Sequence, residues 1–123
     1  MQMSLRSALE GVFGVASTNK NDLRSMFSNW GGTSVRLAAP GEALVTTYPG
    51  NNYAAVWGTS FSTALVSGAA ADMINLVPAI QYAQMSQAFR RGPHVGHQEE
   101  GESRLDVLAS MLFCLGGKYS TDD

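Results

Sequence analysis

One junction limits this chain more than any other. An apolar run, Tyr53 to Trp57, meets Gly58-Thr59-Ser60, and from Ser62 to Met73 the sequence turns rich in alanine and other small residues, with no proline. The first part reads as a strand. The second reads as a helix whose small side chains on every face suit burial among close neighbours. A glycine and two hydroxyl residues at such a step fit a tight strand-to-helix turn. A serine at a helix start has two chemical advantages. Unpaired N–H groups and the positive end of the dipole favour an anion there, and the serine's own N–H can donate to a tetrahedral oxyanion. An N-cap role for Ser60 or Ser62 would explain a bare Gly-Thr-Ser tripeptide equally well.

The rest of the pattern places this junction. Gly11–Ser17 predicts a short buried strand, Ser34–Ala38 a second, stopped by Pro40-Gly41, and Ala43–Tyr48 a third. Pro49-Gly50-Asn51-Asn52 is dense turn chemistry, so the third strand and Tyr53–Trp57 form a hairpin. Pro78 ends the small-residue helix. A second helix is predicted over Ala79–Arg90, with Tyr82, Met85 and Phe89 on one face. A third covers Leu105–Leu115, with Leu105, Leu108, Leu112 and Leu115 as its stripe. Ser4–Glu10 reads as a helical lead-in, Gly92–Ser103 as a polar loop and residues 116–123 as a frayed tail. Strands first and helices last indicate an α/β or α+β fold.

Composition removes several classes of function. With 123 residues, 45% of them apolar and 15% charged, the chain can bury a core and does not read as disordered. A net charge of −2 gives no footprint for nucleic acid or anionic lipid. Arg90-Arg91, the one basic pair, suits the dipole at a helix end. The first ten residues do not read as a signal peptide, and no run approaches the ~20 apolar residues of a membrane span. The single cysteine, Cys114, lies in an apolar run and reads as a core thiol. His94 and His97, near Glu99 and Glu100, lie in a glycine-containing loop and read as solvated histidines; no metal or cofactor is expected. Asp22 sits in a turn, Asp72 near a helix end and Asp106 near a helix start.

The segment Gly58-Thr59-Ser60-Phe61-Ser62-Thr63-Ala64-Leu65-Val66-Ser67-Gly68-Ala69-Ala70-Ala71 resembles the signature of the subtilisin-like serine proteases, the subtilases, G-T-S-M/F-A/S-x-P-x-V-A/S-G-A-A-A. The resemblance continues in order along residues 8–110. Val12–Thr18 is similar to an apolar strand ending in "VAST", and Phe27-Ser28-Asn29-Trp30-Gly31 to "FSN(Y/W)G". Leu37-Ala38-Ala39-Pro40-Gly41 is similar to "(L/V)(A/M)APG", and Thr46–Gly50 with Tyr53 to the hairpin before the nucleophile. Gln84–Phe89 is similar to "AQVRxAL", and Arg104-Leu105-Asp106-Val107-Leu108 to "GRLDVxxA". Departures are Ala64 for the usual Pro, Leu65 for the frequent His, Phe61 for Met, and Trp57 where a small polar residue is common.

The resemblance implies the C-terminal portion of a three-layer α/β peptidase domain. It also implies peptide-bond hydrolysis through Ser60 as nucleophile, with its backbone N–H in the oxyanion hole and Gly58, Thr59 and Gly68 as motif support. In that family the catalytic groups follow the order Asp, His, Ser along the chain. The 59 residues before Ser60 contain no histidine. The family's oxyanion asparagine precedes the region similar to Val12–Thr18. Asp22, Asp72 and Asp106 match no triad position. The chain alone is therefore expected to be inactive, and its polypeptide substrates belong to the whole enzyme. Gly11–Ser17 should leave an open sheet edge and the nucleophile helix a bare side. Several hundred Å² of lost burial at ~25 cal/mol per Å² rivals a domain's whole stability. A partner is therefore expected, either an N-terminal segment of the same protease domain or a second copy. The alternative is a non-catalytic remnant that serves as a binding domain. The family is usually secreted.

Overall fold

The computed structural model describes residues 11–28, 35–95 and 102–116. The lead-in at Ser4–Glu10, Trp30, His97 and the tail from Lys118 lie outside them. Along the chain run β1 (Gly14–Thr18), β2 (Val35–Pro40), β3 (Leu44–Tyr48), β4 (Asn52–Val56), α1 (Thr59–Leu76), α2 (Tyr82–Phe89), β5 (His94–Val95), β6 (Glu102–Arg104) and α3 (Val107–Cys114). One sheet has the order β1-β2-β6-β5, and β3 and β4 form a separate hairpin. β1 and β2 are parallel, with Ala16 opposite Ala38. β6 joins β2 in parallel and β5 antiparallel. The fold is α/β.

The sheet separates two apolar groups by strand alternation. Leu37 and Ala39 face the main core with Val66, Ala69 and Met73 of α1 and Met85, Ala88 and Phe89 of α2. Ala38 points the other way and meets Ala16 and Val95. Phe13 closes the main core at one end, stacked on Tyr82 at 4.7 Å and edge-on to Phe89 at 5.3 Å. Leu105, Met111, Phe113 and Cys114 pack on the same cluster, so all three helices contribute to the core on this side of the sheet.

Three local expectations need correction. The stretch read as a polar loop, Gly92–Ser103, begins and ends in β5 and β6. Two- and three-residue strands carry no readable alternation; Leu105 N–H donating to Ala38 C=O at 2.7 Å and Arg104 N–H to Pro93 C=O at 2.8 Å hold them in place. The leucine stripe of α3 is not its buried face: Ala109 and Ser110 are buried, while Leu108 is 60% and Leu115 63% exposed. Ser110 wins the interior position because its hydroxyl is satisfied by Asp106 C=O at 2.7 Å and Ala88 C=O at 3.1 Å. Arg90 and Arg91 fall just past α2; Arg90 is its C-cap, and the Arg91 guanidinium lies 4.2 Å from the Phe113 ring centre.

The edge of β1 is less open than its sequence suggests. The chain turns back after Asn19, whose side chain accepts from Asn21 N–H and Leu23 N–H. Ser25 N–H then donates to Ser17 C=O at 2.8 Å, and Ser28 Oγ accepts from Ser17 N–H at 2.9 Å. These bonds cap the strand at Ser17 on the side away from β2. Arg104 pairs with both carboxylate oxygens of Asp22 and ties this turn to β6.

Candidate active site

Ser60 lies on the first turn of α1 and is exposed. The helix starts at Thr59, three residues before its small-residue run, because Gly58 makes the bend. Its φ of 149° is a region closed to most side chains, although a Cβ there would find ordinary space against Phe61 at 3.5 Å. Gly58 supplies no side-chain cap, and no acidic residue lies in the first turn. Phe61 N–H donates to Gly58 C=O at 3.1 Å. Among the described residues, nothing accepts from the N–H groups of Thr59 and Ser60. Two donors and the positive helix end therefore sit beside the Ser60 hydroxyl, an arrangement that stabilises developing negative charge.

The turn is braced from the sheet side. Gly58 N–H donates to Gly41 C=O at 2.8 Å, and Gly41 N–H donates to Thr18 C=O at 3.1 Å. Gly41 has no room for a side chain: a Cβ would collide with Ser17 Oγ and Ser62 Oγ. Ser17 Oγ in turn shares a hydrogen bond with Ser25 Oγ at 2.9 Å. Ser17, Ser25, Ser28 and Ser62 thus form a buried hydroxyl layer below the helix start. The sequence offered Ser62 as an N-cap and Ser17 and Ser28 only as parts of family-like segments, and no spacing within it joins them to Ser25 in one layer.

Among the described residues, the titratable groups singled out from the sequence are engaged elsewhere or lie on exposed surface. Asp22 is engaged by Arg104, and Asp106 is the N-cap of α3, accepting from Ala109 N–H at 2.9 Å. Asp72 is on an exposed part of α1, and His94 is exposed on β5. Cys114 is half-buried at the core margin, and burial pushes its thiol above the ordinary value, which favours the protonated form. Among the described residues no group of three or more His, Cys, Asp or Glu could hold a metal ion.

Thr59 contributes its carbonyl, which accepts from Thr63 Oγ1 at 3.0 Å. Gly68 is exposed, and a Cβ built on it would meet nothing within 4 Å. The helix buries only Ser62, Val66, Ala69 and Met73, one stripe, and leaves Ala64, Leu65, Ser67, Ala71 and Asp72 exposed.

Residues 2–101 match the model of the Subtilase family of peptidases. The chain belongs to the subtilase family. Thermitase of Thermoactinomyces vulgaris is 48% identical over 56 residues, covering 46% of this chain and 20% of thermitase. Subtilisin-like protease 2 of Plasmodium falciparum is 40% identical over 97 residues, covering 79% of this chain and 6% of that protein. The self-cleaved protease domain of PatA superposes with a TM-score of 0.77 at 27% identity, covering 94% of this chain and 46% of that one. The chain thus spans less than half of this solved protease domain and about a fifth of thermitase. No helix among the described residues is long and apolar enough to cross a membrane.

Proposed function

We propose that this chain is the nucleophile-bearing part of a subtilase that hydrolyses peptide bonds in polypeptide substrates, with Ser60 attacking the scissile carbonyl. The observation that carries the reading is an exposed serine on a helix start without a side-chain cap, beside N–H donors that nothing among the described residues accepts from. In this reading Ser60 Oγ forms the acyl-enzyme, and its own N–H holds the carbonyl oxygen as it becomes an oxyanion. Gly58 keeps side-chain atoms away from the attacking face. The base that takes the hydroxyl proton, its carboxylate partner and the oxyanion asparagine come from an upstream segment of the same domain. That segment also covers the exposed side of α1, where Gly68 allows close approach. The chain by itself is inactive, because a serine without a base is a weak nucleophile.

A fluorophosphonate probe tests this directly. The isolated chain should not label. With the corresponding upstream segment of a subtilase supplied, Ser60 should label and a peptide substrate should turn over, and Ser60→Ala should lose both. Labelling of the isolated chain at the rate of an intact serine protease would refute its inactivity. If the assembled domain folds yet neither labels nor turns over, the chain is a non-catalytic binding domain instead.

A further inference from the structure

The start of α1 lacks the side-chain anchor that most helices use. Gly58 cannot cap, and a capping hydroxyl or carboxylate would in any case occupy the donors that the nucleophile turn keeps open. The anchor lies one turn deeper. Ser62 is fully buried and its Oγ–H donates to Pro40 C=O at 3.0 Å, while Gly58 N–H donates to Gly41 C=O at 2.8 Å. The two acceptors are consecutive residues where β2 ends, so the pair of bonds fixes both the position and the rotation of the first helical turn. Ser62 Oγ also lies close against Gly41, in the space a side chain there would need.

We propose that Ser62 is a positioning residue that replaces the N-cap of α1, locking the Ser60 turn to β2 from below so that the Thr59 and Ser60 N–H groups stay open to an oxyanion. The role of the lock in catalysis rests on Ser60 being the nucleophile; the lock itself does not.

The test therefore has two arms. In the first, amide hydrogen exchange is measured on the 123-residue chain. Exchange at Phe61 and Ser62 is compared with that at Leu37–Ala39, which reports opening of the sheet. Ser62→Ala should raise this ratio about tenfold, the size of one ordinary hydrogen bond. Ser110→Ala, which removes a buried hydroxyl bonded to carbonyls of Ala88 and Asp106 and to none at α1's start, should leave it unchanged. An unchanged ratio in Ser62→Ala overturns the lock. In the second arm, the chain is assembled with an upstream subtilase segment and turnover is measured. Ser62→Ala should lower kcat about tenfold at constant KM. A loss no larger than that of Ser110→Ala overturns the positioning role. If the unaltered assembly shows no turnover, the catalytic reading of Ser60 fails, and the exchange arm still decides the lock.

Discussion

At the residue scale, backbone conformation matters more than side-chain contact at the nucleophile turn. Gly58→Ala illustrates the distinction. Its Cβ has room, but φ of 149° is unfavourable for any L side chain. The substitution should cost about 1 kcal/mol or more, seen as a lower thermal midpoint. Gly41 presents the opposite case: its backbone is ordinary, and the Ser17 and Ser62 hydroxyls exclude a side chain. The importance of Gly58 was legible in the sequence as part of a motif. Gly41 too was legible as the end of a family-like segment, but the reason for it was not, because the serines that crowd it come from 24 and 21 positions away along the chain.

At the scale of elements, the helices show where pattern reading holds and where it fails. The face of α2 was read correctly: Met85 and Phe89 are buried, and Tyr82 stacks on Phe13. Phe89 is 1% exposed at the centre of the main core. Phe89→Ala should cost about 3–5 kcal/mol. Circular dichroism should then show loss of a cooperative unfolding transition, since that cost approaches the stability of a small domain. In α3 nearly every residue is apolar, so periodicity cannot choose a face. The choice falls to Ser110, whose hydroxyl finds two carbonyls, and to the Asp106 cap. The strands β5 and β6 escaped notice because they are too short to alternate.

At the scale of the whole molecule, much apolar surface lacks a cover among the described residues. The hairpin exposes Val45 and Tyr53, each by 75%, and Trp57 is exposed beside the nucleophile turn. One side of α1 is bare, as are Leu108 and Leu115 at the two ends of α3. An isolated two-stranded hairpin is marginal in water. The chain alone should therefore associate with itself as concentration rises, measured by sedimentation velocity. Adding an upstream subtilase segment should suppress that association and raise the thermal midpoint, because ligands of the native state stabilise it by mass action. Persistent monomer with an unchanged midpoint would count against the proposed complement.

The Gly-Thr-Ser step and the small-residue run after it mark the strand-to-helix turn, since residue types announce such local backbone demands directly; the family and the expected place of the nucleophile come from the resemblance that continues in order along residues 8–110. The tertiary structure alone decides how that turn is held. The buried hydroxyl layer, the capped edge of β1 and the anchoring of Ser62 to Pro40 join segments that are distant in the chain. Hydrogen-bond partners of that kind are set by how the segments pack, and no spacing within the sequence records them.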